Sequence, residues 1–90
     1  MDSESALDLL RQNHAFPGSY EFRIVVLPDA VATVVSTIEG AGATIEDVRE
    51  RPSRTGKYIS LRVRALVQQA EDVLHVYSVL GSSSGVVTAL

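Results

Sequence analysis

The stretch Lys57-Tyr58-Ile59-Ser60-Leu61-Arg62-Val63-Arg64-Ala65-Leu66-Val67, "KYISLRVRALV", decides the fold. Ile59, Leu61, Val63, Ala65 and Val67 recur at every second position, with Tyr58, Ser60, Arg62 and Arg64 between them. Side chains of a strand alternate between its two faces, so this period describes a sheet with one dry and one wet side. The turn signal Ser53-Arg54-Thr55-Gly56 precedes it. Upstream of that turn, residues 43–51 read as a second strand that is less regular. Ile45 and Val48 are out of phase with each other, which predicts a bulge or a polar edge strand, and Pro52 removes a ladder donor as an edge tolerates.

Working outward, Tyr20, Phe22, Ile24 and Val26 alternate with Glu21 and Arg23, a further strand whose outer face turns apolar at Val25 and Leu27. Residues 29–41 are rich in β-branched side chains and lean by propensity towards strand. Their spacing points the other way: Val31, Val34, Val35 and Ile38 fall at i, i+3, i+4 and i+7, one stripe of a helix. Asp29 is its expected N-cap, and Gly40 or Gly42 its stop. Residues 69–80 predict another helix, with Val73, Val76, Tyr77 and Leu80 inward and Gly81 at its end. Ser82-Ser83-Ser84-Gly85 then links it to a short last strand over 86–90. Residues 3–12 predict a short helix capped by Ser3 and stopped by Phe16-Pro17-Gly18.

The order is β-α-β-β-α-β after a small helix. Right-handed crossovers then give an α+β, ferredoxin-like two-layer sandwich. Its four-stranded antiparallel sheet has the order 4-1-3-2, with both helices on one face. Residues 1–15 form an N-terminal helical extension and residues 16–90 a single domain.

Composition bounds the function. The chain of 90 residues has no cysteine, which excludes disulfides and thiolate metal sites and suits a reducing compartment. The acidic start, Met1-Asp2-Ser3-Glu4-Ser5, is unlike a signal peptide, and no apolar run approaches the ~20 residues of a membrane span. A cytoplasmic protein is expected. The formal charge of −3 argues against a general nucleic-acid binder. It is unevenly placed: Arg49, Arg51, Arg54, Lys57, Arg62 and Arg64 are six of the eight basic residues.

Chemical motifs fail on inspection. Gly56-Lys57 lacks the earlier glycine and the following Ser or Thr of a phosphate loop, since Arg51 and Tyr58 hold those positions. Gly81-Ser82-Ser83-Ser84-Gly85 matches a nucleophile elbow in letters, but it follows a helix and precedes a strand. His14 and His75 are far apart, and His75 is expected as a solvent-facing neighbour of Asp72. No spacing predicts a metal site or a cofactor, and the reading is non-enzymatic. RNA recognition is the rival, because one RNA-binding module shares this element order. Here Lys57 follows its glycine instead of preceding it, and on that face only Tyr58 offers a stacking ring.

Several short matches in the right order resemble the bacterial YbeD-like family. They are Phe16-Pro17 with Tyr20-Glu21-Phe22-Arg23-Ile24-Val25, then Ser53-Arg54-Thr55-Gly56-Lys57-Tyr58-Ile59-Ser60, then Val76-Tyr77-Ser78-Val79-Leu80, then Gly85-Val86-Val87-Thr88-Ala89-Leu90. They span residues 16–90, and Lys57 departs from the asparagine usual there. The resemblance implies a ferredoxin-like fold similar to regulatory domains of the ACT type, with no established activity. The ACT-type effector loop carries a glycine after strand one, where this chain has Leu27-Pro28-Asp29.

The expectation is a small regulatory or protein-interaction module that senses a small anion or metabolite or binds a protein partner. Its candidate anion or partner surface is Arg23, Arg54, Lys57, Tyr58, Arg62 and Arg64. Antiparallel pairing of strands one and three sets Arg23 near Arg62 and Glu21 near Arg64. A homodimer is expected, with Val25 and Leu27 as its candidate surface.

Overall fold

The computed structural model describes residues 2–90; Met1, at the head of the predicted extension, lies outside the described residues. Helix α1 covers Ser3–Asn13, strand β1 Gly18–Val26, a 3-10 turn Pro28–Ala30 and helix α2 Val31–Gly40. Strands β2 (Thr44–Pro52) and β3 (Ile59–Val67), helix α3 (Ala70–Gly81) and strand β4 (Val86–Ala89) follow. The sheet order is β2-β3-β1-β4, with all three ladders antiparallel, which is the predicted topology.

The core forms where the dry face of the sheet meets the helix stripes. Phe22, Ile24 and Val26 of β1 and Leu61, Val63, Ala65 and Val67 of β3 are buried against Val34 and Ile38 of α2 and Val73, Val76 and Leu80 of α3. Tyr20 is only half buried, at the rim of this core. There its ring lies 5.0 Å from His14 and 4.8 Å from Phe22. The i, i+3, i+4 spacing of valines in α2 thus outweighs β propensity, because that spacing is what buries a stripe.

The ladder β2–β3 slips between Ile45 and Asp47, leaving Glu46 as the extra residue of a bulge. This resolves the phase conflict: Ile45 pairs with Ala65 and Val48 with Val63, both over the core. It also turns Asp47, Arg49 and Arg51 onto the open face, opposite Arg64, Arg62 and Ser60.

Three local expectations are corrected. The N-cap of α1 is Asp2, not Ser3: Asp2 has extended backbone, and its carboxylate accepts the Ser5 N–H at 2.8 Å. That hydrogen bond holds the Asp2 carboxyl below its ordinary range. Asp29 does not cap α2. It lies inside the 3-10 turn, which runs directly into the helix with Ala30 as the capping residue. Asp72 does not pair with His75. Its carboxylate accepts the Gln69 N–H and closes a capping box at the start of α3, while His75 is exposed.

Candidate functional site

The helices cover one face of the sheet, and the other carries an ordered set of charges. Register places Arg49, Arg62 and Arg23 directly opposite one another, so three arginines form one row across β2, β3 and β1. Leu90 continues the row at β4, where its N–H donates to the Arg23 carbonyl at 2.8 Å. One step along the strands lie Asp47, Arg64 and Glu21; one step the other way lie Arg51, Ser60, Val25 and Thr88.

Side-chain pairing is uneven across this grid. The Arg49 Nε lies 3.1 Å from an Asp47 carboxylate oxygen, and the Arg64 Nε 3.9 Å from Glu46. Glu46 also accepts the Ser19 hydroxyl, which holds it on this face. Arg23 faces Arg62 and Glu21 faces Arg64 in the ladder, as expected. The ion pair runs diagonally, however: Glu21 lies 3.7 Å from the Arg62 Nε. Among the described residues, Arg23 and Arg51 have no carboxylate within ion-pair distance. The positive excess therefore sits at Arg23 and Arg51, on the flank of Ser60. Two half-open hollows border Ser60 and Arg62 there, one reaching Arg49, Glu50 and Arg51, the other Arg23, Val25 and Leu90.

The structure separates the sequence-predicted residues into two groups. Arg23, Arg62 and Arg64 belong to the charged grid. Arg54 and Lys57 sit on the hairpin beyond β2 and β3, held by the Gly56 N–H to the Ser53 carbonyl and the Ser53 N–H to the Tyr58 carbonyl. Gly56 takes a φ of 73° there, the left-handed conformation that favours glycine. Tyr58 is half buried, with the Lys57 Nζ 5.8 Å from its ring centre. Sequence reasoning missed Arg49 and Arg51 as members of the face. Val25 is half buried between Ser60 and Thr88, and Leu27 is 41% exposed at the end of β1.

A second feature lies just past the end of strand β1. The Leu27 N–H donates to the Gly85 carbonyl, and Ala30 packs against the Gly85 Cα. The 3-10 turn thereby closes onto the start of β4 and leaves little space at that backbone. Among the described residues no group of three or more His, Cys, Asp or Glu is arranged to hold a metal ion. No helix among them is long and apolar enough to cross a membrane.

The geometry defines a small α+β sandwich with an arginine-rich open sheet face. The chain belongs to the family described as "Protein of unknown function (DUF493)", whose model matches residues 11–90. That is the YbeD-like family which the sequence resembles. A comparison with curated proteins finds no match. Among solved structures, protein HP0495 from H. pylori is similar with a TM-score of 0.73 at 15% identity, covering 86% of this chain and 85% of that one. The C-terminal domain of the MgtC protein from Mycobacterium tuberculosis is similar with a TM-score of 0.67 at 19% identity, covering 80% and 82%. A homoserine dehydrogenase from Thiobacillus denitrificans matches with a TM-score of 0.63 at 11% identity, over 80% of this chain and 16% of that one. These likenesses show a shared fold.

Proposed function

We propose that the protein is a non-enzymatic regulatory or interaction module that binds an anionic group on its open sheet face. The observation that carries this reading is the cross-strand row Arg49–Arg62–Arg23 with Arg51 beside it. Like charges directly opposite one another in a sheet cost a few tenths to about 1 kcal/mol. Only part of that cost is offset here, because Arg23 lacks a carboxylate partner among the described residues, as does Arg51 beside the row. A bound carboxylate or phosphate would take the place of the missing partner, and arginine forks suit both. The fold also occurs as a small part of a homoserine dehydrogenase chain.

The test compares thermal stability in phosphate or sulfate against chloride at matched ionic strength. A ligand that binds only the folded state raises stability by mass action, whereas exclusion of sulfate raises it for any protein. The specific gain is expected to disappear in Arg23→Gln/Arg62→Gln. Equal gains in both proteins would remove the site.

A homodimer belongs to the same reading, with the edge of β4 as its contact. Val87 is 52% exposed and Leu90 71%, and Leu27 and Val25 lie beside them. The β1 ladder occupies one side of β4, and the alternation of an antiparallel strand directs the Ala89 backbone groups to the other, while Val87 is the extra residue where the ladder shifts register. An edge with free backbone groups and exposed apolar side chains favours strand addition.

A further inference from the structure

We infer that the occupant of the open sheet face is a protein surface of mixed charge: basic, then acidic, then apolar along the direction of the strands. This rests on the anion-binding reading above and names the class of partner. The face carries three zones in sequence. Glu21, Glu46 and Asp47, with Arg64 among them, mark its net acidic end, the arginine row and Arg51 its centre, and Val25 and Leu27 its apolar end. From the Glu21 row to Leu27 is six residues, roughly 20 Å at the usual strand rise.

Each zone narrows the choice. A free small anion or metabolite is held well only where a cavity buries most of it. The hollows beside Ser60 and Arg62 are half open to solvent, so part of such a ligand would stay in water. A nucleic acid presents uniform negative charge, and its backbone would meet Glu21, Glu46 and Asp47 as well as the arginines. Among the described residues it would also find no aromatic ring in the charged grid and only the half-buried Tyr58 at the hairpin end of β3, where single-strand binders use several. A protein surface can carry both signs and an apolar anchor in one patch. Arginine and tyrosine are among the residues enriched at such contacts. Across about three strand spacings the footprint is about 20 by 15 Å, the scale of a small, transient interface.

The experiment titrates the isotopically labelled full chain at low salt and follows backbone amide shifts of β1 and β3. Four probes are used: a synthetic peptide with successive basic, acidic and leucine-containing blocks, a scrambled peptide of the same composition, a single-stranded oligothymidine, and inorganic phosphate. The block peptide is expected to bind at least tenfold more tightly than the scrambled one. In Glu46→Gln/Asp47→Asn, block-peptide binding should weaken severalfold while oligothymidine binding strengthens. Equal binding of the two peptides, or oligothymidine binding tighter than the block peptide, overturns the inference. If phosphate still shifts the Arg23 and Arg62 amides in that case, the anion-binding reading survives it. If no probe shifts them, both fall.

Discussion

Leu61 and Arg62 are neighbours on β3 with opposite fates, and replacing each by alanine tests the two faces of the sheet at once. Leu61 is 1% exposed, paired with Ile24 and enclosed by the core. Truncation removes three carbons, about 2.4 kcal/mol of transfer free energy at roughly 0.8 kcal/mol per carbon. A cavity in the middle of a sheet collapses poorly, so the total should be about 3–4 kcal/mol, within the usual range for such changes. Whole-domain stability at this length is on the order of 5–13 kcal/mol. At about 4–8 °C per kcal/mol, Leu61→Ala should lower Tm by roughly 12–30 °C. Arg62 has a side chain 60% exposed and an ion pair to Glu21 at 3.7 Å. Losing an exposed pair costs about 0.2–1 kcal/mol. Removing the charge between Arg23 and Arg49 returns a few tenths. The net for Arg62→Ala should be below about 0.5 kcal/mol, a Tm shift within about 4 °C. Thermal melts followed by circular dichroism at neutral pH separate the two. If both variants melt alike, or Arg62→Ala is the more damaging, the facing of β3 is wrong.

Gly85 has a φ of 83°, and a Cβ there would collide with the Ala30 Cβ. Gly85→Ala should cost at least about 1–2 kcal/mol from the backbone alone, read as a lower urea midpoint, and a neutral result would contradict the close packing of the 3-10 turn. Burial, with the Tyr20 hydroxyl as the next cause, raises the Tyr77 hydroxyl above the ordinary tyrosine value near 10. The unfolded chain therefore loses that proton first, so stability should fall as pH rises above about 10. Tyr77→Phe should show a shallower alkaline loss between about pH 10 and 12; parallel profiles would show that Tyr77 contributes nothing to it. Light scattering should find a dimer at micromolar concentration, and Val87→Lys on β4 should return it to monomer. A wild-type monomer near millimolar concentration would remove the edge contact.

How much was legible depended on whether a residue's role was periodic or geometric. The stripe of α2 was readable despite its valines, because four positions at helical spacing outweigh single-residue propensity. The bulge in β2 was readable from the clash of phase between Ile45 and Val48. Its consequence was equally available and was missed: if both of those face the core, Asp47, Arg49 and Arg51 must face away. That step would have added two arginines to the candidate surface and removed the emphasis on Arg54 and Lys57. The caps were not readable, since Asp2 and Ser3 are both good N-caps and only the backbone decides between them. Nor was the diagonal pairing of Glu21 with Arg62, because ladder register fixes Cα neighbours while a long side chain chooses among several.

The open face holds five arginines against Glu21, Glu46 and Asp47, a balance of plus two on a chain of −3, which leaves minus five for the rest of the molecule. The helix side carries Glu39, Glu71 and Asp72. The protein is thus an electric dipole whose positive pole is the flat side of the sandwich. Such a molecule turns in the field of an acidic body before touching it, which raises the fraction of collisions that arrive with the sheet forward. The gain appears in the association rate and fades as salt shortens the reach of the field to about 8 Å at physiological strength. Dissociation is governed by the contacts themselves and changes far less with salt. An ionic-strength series on both rates would separate what the charge distribution contributes to meeting a partner from what the face contributes to keeping it.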